Sequence, residues 1–162
     1  MEQLFRDQFQ HFINTNTIVG ETSSPTWTRE GTGVESLELA FNPQKDTYKD
    51  ITRRTSQTTF KSYQISSSVS GKRCFKGDDM YAYLKNLKDL AISANTQDLE
   101  IDTTDTVTEG VYKAIRYDIL ITISSWLGED AVIAYDIDYT NPVQGTVTLA
   151  GGIPSFTPTA SL

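Results

Sequence analysis

The sequence contains one cysteine, Cys74, and one histidine, His11, among its 162 residues. A single cysteine excludes an internal disulfide framework and a cysteine-based zinc site, and a single histidine excludes a His-rich metal centre. A nucleophilic triad needs a base, and the only histidine lies in a segment predicted below to be an N-terminal arm. We therefore predict that the protein is not an enzyme and that it carries no metal or cofactor.

Long apolar runs are also missing. No stretch approaches the ~18 apolar residues of a membrane-spanning helix, so we expect no membrane insertion. The first twelve residues, MEQLFRDQFQHF, include acidic side chains and no continuous apolar run, unlike a secretory signal. Apolar residues make up 38% and charged residues 22% of the chain, which indicates one globular domain over residues 1–162.

Basic residues are scarce where the chain is most acidic. The formal charge is −7, and residues 96–162 hold two basic against ten acidic side chains. Duplex DNA carries about one negative charge per 1.7 Å, so a protein that grips it needs clustered Lys and Arg. The sequence has no such stripe and is not expected to bind nucleic acid stably. Two explanations of the acidic charge remain: it keeps the protein soluble, or it lines a surface past which DNA must move without binding.

Alternation of apolar and polar residues with period 2 dominates the chain after residue 33, and it predicts strands. The longest pattern, Val111–Trp126, is long enough that we expect a bend or bulge to divide it. Polar side chains line one face of several of these strands, so that face meets solvent or a water-filled space. The predicted strands are 34–41, 58–70, 97–103, 111–126, 131–139 and 145–149.

One helix is predicted, over residues 78–92. Its apolar residues Met80, Leu84, Leu87 and Ala91 recur at the spacing of a core-facing stripe. Asp78 or Asp79 is suited to cap its N-terminus. Together the patterns predict a mainly β fold, a β-sandwich or partial barrel with one packed α-helix, an extended loop and terminal arms.

Other carboxylate pairs and the cysteine are assigned to ordinary structural roles. Glu129 and Asp130 suit a turn, and Cys74 lies in a basic turn, GKRCFKG, whose charges favour a lowered thiol pKa. A lone cysteine in a turn is nevertheless usually inert. No calcium loop and no phosphate-binding loop is found.

Three segments are predicted to be arms or loops. Within the N-terminal segment 1–30, the spacing of Phe5, Phe9 and Phe12 favours a short amphipathic helix or an arm that docks aromatic rings. Residues 42–57 show no period, and loops of this length are often functional or ordered by a partner. Residues 151–162 are rich in Gly and Pro and predict an extended C-terminal arm.

Two long stretches resemble the major tail tube proteins of long-tailed phages, especially those that infect Gram-positive bacteria. The first is FNPQKDTYKDITRRTSQTTFKSYQISSSVSGKRCFKGD, residues 41–78, in which a charged loop leads into a strand, a Ser-Gly-Lys-Arg turn and the Gly-Asp that opens the helix. The second is AVIAYDIDYTNPVQGTVTLAGGIPSFTPTASL, residues 131–162. The Asp-rich connection before residue 111 adds a looser likeness.

The resemblance implies a structural virion protein made in the host cytoplasm. Tail tube subunits form hexameric rings that stack into a hollow tube, and each subunit adds strands to a continuous inner sheet around the lumen. Its partners would be other copies of itself, the tape measure protein, and tail terminator and distal tail proteins. DNA would pass through the tube without specific binding.

The resemblance and the polar faces together name candidate residues. A lumen lined by carboxylates and hydroxyls would let DNA pass, whereas a basic one would hold it. The lumen candidates are Ser66, Ser68, Asp118, Thr122, Ser124, Asp136 and Asp138. The candidates for contact between subunits are Tyr48, Ile51, Arg53, Arg54, Phe5, Phe9, Phe12 and Phe156.

Two alternatives remain open from the sequence. In the first, the chain is a non-catalytic β-sandwich binding or adhesion module, and some of its 8 tyrosines and 2 tryptophans stack on sugars. In the second, it forms the tube of a contractile tail or of a phage-like bacteriocin.

Overall fold

The computed structural model describes residues 1–20, 24–128 and 131–159. The protein is mainly β, with 58% strand, which confirms the predicted fold class. Six strands form a nearly closed sheet in the order β2-β1-β6-β7-β8-β5, all antiparallel, and β9 also pairs with β8; β3 and β4 form a second, two-stranded sheet. The strands are β1 (Phe9–Asn14), β2 (Trp27–Glu30), β3 (Pro43–Tyr48), β4 (Gln57–Tyr63), β5 (Ile65–Arg73), β6 (Ala94–Thr108), β7 (Val111–Ser125), β8 (Val132–Ala150) and β9 (Ile153–Pro158).

The single α-helix of the described residues, α1 (Asp79–Leu90), packs on one face of the main sheet. Asp78 caps it, because its Oδ1 accepts a hydrogen bond of 3.2 Å from the backbone N–H of Met80. Met80, Leu84 and Leu87 are buried as predicted, together with Tyr83. The prediction for Ala91 is wrong: this residue adopts a left-handed conformation (φ 53°) and ends the helix at the surface.

The long strand β7 lies between β6 and β8 and is paired along both edges. Its predicted irregularity is confirmed, since the register with β8 shifts between Arg116 and Asp118 and again near Ser125. Residues 131–139 and 145–149 were predicted as two strands, but β8 runs through both. Asn141 accommodates the shift with a left-handed conformation (φ 51°), so the chain bulges there without leaving the sheet.

The two faces of the main sheet bury two separate cores. The larger core contains Ile119, Ile121, Ile137 and the apolar side of α1. The smaller core lies on the opposite face, where its members are Phe12, Leu99, Ile101, Ala114 and Val147.

The N-terminal segment is part of the sheet rather than a helix or an arm. β1 pairs with β2 on one side and β6 on the other, and a short 3₁₀ turn (Arg6–Gln8) precedes it. Consecutive residues therefore enter both cores: Phe12 the smaller and Ile13 the larger. The expected arm over 1–30 is wrong for β1 and β2, and residues 21–23 lie outside the described part of the chain.

Two further element predictions are wrong. Residues 34–41 do not form a regular strand: they run antiparallel to β5 and meet it at two isolated bridges, Val34 with Lys72 and Ala40 with Ser66. The C-terminal segment is not an unpaired arm up to Pro158, because β9 folds back on β8 through a turn at Gly151 and Gly152. Its prolines are tolerated because β9 is an edge strand. Residues 160–162, and Glu129 and Asp130 of the predicted turn, lie outside the described residues.

The sheet nearly closes where the chain after β2 meets the end of β5. The backbone N–H of Arg73 donates a hydrogen bond of 2.9 Å to the carbonyl of Gly33. A Cβ on Gly33 would lie 2.3 Å from the carbonyl oxygen of Arg73, and the residue has a positive φ of 76°. Glycine is therefore required at this seam.

Candidate assembly surfaces

The predicted loop 42–57 is largely a β-hairpin that projects from the main sheet. Pro43–Tyr48 pairs with Gln57–Tyr63, and only residues 49–56 connect the two strands. The register of the bridges between 34–40 and β5 continues into the pairs of Pro43 and Gln44, so the hairpin extends the ladder beside β5. Nearly every hairpin side chain is exposed. With neither face of β3 buried, no period-2 pattern is selected there, which is why residues 42–57 were predicted as a loop, whereas β4 falls almost entirely within the strand predicted over 58–70.

An aromatic cluster lies at the base of this hairpin. The ring of Tyr63 lies 5.4 Å from that of Phe41, edge-on, and 4.7 Å from that of Phe60. All three are about half exposed, at 56%, 46% and 56%. Sequence reasoning missed this cluster, because Phe41 lies in one predicted strand, 34–41, and Phe60 and Tyr63 lie in another, 58–70.

Four predicted contact residues lie on the hairpin and are exposed. Ile51 projects fully into solvent at the connection, with Arg54 close to it in the chain. Arg53 pairs with Asp50 at 3.3 Å, and the Tyr48 hydroxyl donates a hydrogen bond to a Gln57 side chain at 2.9 Å.

The other four contact candidates have different surroundings. Phe5 is exposed and Phe9 is half-buried. Phe156 packs on the smaller core, with the Arg116 guanidinium 5.2 Å from its ring. The prediction for Phe12 is wrong, because its ring is only 4% exposed and lies within the subunit.

The predicted lumen residues lie on the face of the sheet opposite α1. Asp136 is flanked by Ser68 on β5 and Thr122 on β7, and Asp138 is flanked by Ser66. The Ser68 hydroxyl donates a hydrogen bond of 2.7 Å to Asp136. Farther along the same face, the Asn141 amide donates one of 3.1 Å to Asp118. The last candidate, Ser124, lies at the register shift near the end of β7 and is exposed.

Among the strand edges that lack a strand partner in the part of the chain that the structure describes, two flank the strands β6-β7-β8-β9. β1 pairs with β6 only up to Asp102, which leaves residues 104–108 with one open side. β9 pairs only with β8, so its outer side is open. The sheet order puts these edges on opposite sides of the four strands β6-β7-β8-β9. Open edges are the sites where another chain can add a strand.

The basic turn predicted at 71–77 contains a buried ion cluster instead. Lys72 is fully buried, and its Nζ lies 3.0 Å from Asp78 Oδ2 and 3.6 Å from Glu30 Oε1. It also donates a hydrogen bond of 2.5 Å to the carbonyl of Thr32. The cluster joins β5, the chain after β2 and the N-terminus of α1, so it closes the seam. Burial raises the pKa of Glu30, although the ammonium of Lys72 opposes this.

His11 lies in β1 rather than in an arm, and it too is buried. Its Nδ1 lies 3.1 Å from Asp98 Oδ1. Burial by itself lowers the pKa of His11, but the charge and hydrogen bond of Asp98 outweigh it, so the pKa is raised above 6.5. The expected lowering of the Cys74 pKa is wrong, because burial raises it despite nearby Lys72.

No three His, Cys, Asp or Glu side chains among the described residues are arranged to hold a metal ion. Within residues 1–20, 24–128 and 131–159, no helix has the length and apolar character to cross a membrane. No protein-family model and no curated protein matches the chain.

Proposed function

We propose that this protein is a self-assembling structural subunit of a phage tail tube, in which rings of copies stack into a conduit for DNA. The observation that carries the proposal is the projecting β3–β4 hairpin. It holds apolar side chains, among them Ile51 and Phe60, out in solvent with no cover from the subunit itself. A two-stranded hairpin with no buried face is marginally stable in water, and packing against another copy would bury its apolar side chains and stabilise it.

The polar face of the sheet is suited to line a tube. Its exposed groups on β5, β7 and β8 are carboxylates and hydroxyls, and Asp136 and Asp138 stand side by side with serines. Such a surface repels phosphates, so DNA moves past it without the release of counterions that makes basic surfaces bind. The helix packs on the opposite face and the smaller core occupies another part of this one, so α1 does not cover the polar side chains of β5, β7 and β8.

The open edges of β6 and β9 are suited to close a ring. They lie on opposite sides of the four strands β6-β7-β8-β9, so one copy can add its β9 side to the β6 side of the next. Contacts between different edges are heterologous and form rings when the rotation closes. The long strand β7 needs no strand from another copy, because it is paired along both edges within its own chain.

A sugar-binding module is the second candidate, and the aromatic cluster favours it. Phe41, Phe60 and Tyr63 form a half-exposed patch of the kind that stacks on a pyranose ring. In that case the hairpin presents a ligand surface and the chain remains monomeric.

One experiment separates the two candidates. Purified protein is imaged by negative-stain electron microscopy over a rising concentration series, and the same sample is screened against immobilised glycans. Rings or hollow tubes without glycan binding support the tail tube. Monomers at every concentration that bind glycan through Phe60, with binding lost in Phe60→Ala, favour the sugar-binding module.

A further inference from the structure

The hairpin and an acidic cleft are separate surfaces of one copy, because no described residue that lines the cleft belongs to the hairpin. The hairpin leaves the sheet beside β5, where Ile65 pairs with Tyr139 of β8. The cleft lies across β1, β6, β7 and β8, and Gln144–Thr146 of β8 contribute to its wall. It is therefore five to seven residues farther along β8 than the base of the hairpin.

The cleft combines an apolar lining with an acidic rim. Its volume is about 530 Å³, and Phe9, Val107 and Ile115 line it. Val107 is 50% exposed, so the subunit leaves this apolar surface open. The open edge of β6 borders the cleft through Asp105 and Val107, and offers backbone groups without a strand partner beside it.

The two surfaces have opposite charge. The hairpin, Pro43–Tyr63, has five basic and two acidic side chains, a net charge of +3. Residues 100–113, which form the acidic rim and the adjoining turn, have four acidic and one basic side chain, a net charge of −3. Complementary charge of this kind favours encounter and fixes orientation between partners. Two copies of this chain thus carry matching surfaces.

We propose that the hairpin of one copy docks into the acidic cleft of its lateral neighbour within the same ring. This inference rests on the proposed function, and it adds which surface receives the hairpin. The hairpin strands of six and seven residues extend about 20 Å, which matches the distance along β8 to the level of the cleft. Apolar residues such as Ile51 and Phe60 enter the cleft, while Arg53 and Arg54 meet its rim.

Charge reversal tests the pairing. Arg53→Glu with Arg54→Glu reverses the hairpin tip, and Asp105→Lys with Glu109→Lys reverses the rim. Each double variant is expected to raise the concentration needed for assembly about tenfold, in a salt-dependent way. Combining all four substitutions restores assembly to within about threefold of the wild type. Lys85→Glu on the exposed side of α1 is the matched control, and no change is expected.

Cross-linking between copies tests the geometry. In a Cys74→Ser background, the variants Arg54→Cys and Asp105→Cys are purified separately, mixed, assembled and oxidised. A disulfide-linked dimer can then form only between copies. The control mixture pairs Arg54→Cys with Lys85→Cys, and the expected result is several-fold more dimer from the first mixture.

The outcomes separate the two proposals. If rings or tubes form but the 54–105 dimer does not exceed the control, or if the charge variants assemble like the wild type, lateral docking is overturned while the tube remains. If the wild type never assembles, the proposed function and the docking fail together. Circular dichroism of each variant confirms that loss of assembly does not reflect loss of the fold.

Discussion

Lys72 and Asp78 form an ion pair across the seam of the sheet, with 3.0 Å between Nζ and Oδ2. The exposed fractions of their side chains are 0% and 8%. A charge in a protein interior has lost its hydration, so each partner of such a pair depends on the other. The pair ties the end of β5 to the N-terminus of α1, next to the place where Gly33 contacts β5. The near-closure of the subunit thus depends on a few residues.

Removal of the buried ammonium tests that dependence. Lys72→Met leaves the carboxylates of Glu30 and Asp78 buried without a cation, and we expect the free energy of unfolding to fall by roughly 3–5 kcal/mol. Urea denaturation followed by circular dichroism measures it. Lys85→Met, at an exposed site on α1, is expected to change it by less than about 0.5 kcal/mol. Equal stability of the two variants would contradict a role for Lys72 in the seam.

Comparing alanine substitutions at two glycines separates the cost of the close backbone contact at the seam from the cost of the left-handed conformation. Gly33 and Gly110 have the same φ of 76°, but a Cβ meets the Arg73 backbone at 2.3 Å in the first case and nothing within 4 Å in the second. Gly110→Ala is expected to cost about 1–2 kcal/mol from the left-handed conformation alone. Gly33→Ala is expected to cost clearly more, because the seam must separate. Thermal or urea unfolding of both variants checks this, and a smaller cost at Gly33 would refute it.

Stability is expected to fall as pH rises above about 6.5, the ordinary pKa of histidine. The raised pKa of His11 means that the folded state holds this proton more tightly than the unfolded chain does. Its contribution is therefore present below about pH 6.5 and is lost as pH rises through the raised pKa. Burial of Glu30 acts in the same direction from a lower starting pH. Urea midpoints across this range are expected to decline less in His11→Gln than in the wild type, and parallel curves would disprove it.

The exposed apolar side chains of the hairpin are expected to matter for assembly and not for folding. Ile51→Ser changes a side chain that makes no buried contact, so the unfolding free energy is expected to stay within about 0.5 kcal/mol of the wild type. Assembly, measured by sedimentation velocity, is expected to require a higher concentration. A variant that assembles normally would remove the hairpin from the interface.

Reversed charge on the polar face is expected to make tubes retain DNA. Asp138→Lys places a cation on this face beside Ser66, where it would attract phosphates in a salt-dependent manner. Asp89→Lys, on an exposed site of α1, is the matched control. Filter binding of labelled DNA to assembled tubes measures the effect, and equal retention by the two variants would argue against a luminal position of Asp138.

The strands with one buried face were predictable from sequence. Ile119 and Ile121 on β7, and Ile137 on β8, are buried and lie in segments where polar residues recur on the opposite face. The two kinds of residue alternate because one face of each strand packs in the core and the other contacts solvent. The same demand selected Leu84 and Leu87 on α1. The candidate lumen residues therefore share one face of the sheet, as expected, since they follow the same alternation.

Elements set by long-range contacts were not predictable. Phe5, Phe9 and Phe12 have helical spacing, yet β1 is paired on both sides and buries neighbouring residues on opposite faces. Lys72 lies in a basic sequence that resembles a turn, and only the folded chain brings Glu30 to it. The first hairpin strand, β3, has no buried face, so residues 43–48 show no alternating pattern.

A cryo-electron microscopy reconstruction of concentrated, purified protein tests the central claim most directly. The account predicts hollow tubes of stacked rings, with Asp136 and Asp138 facing the bore and α1 on the outside. A monodisperse monomer at the highest attainable concentration, or tubes whose bore is lined by α1, would contradict it.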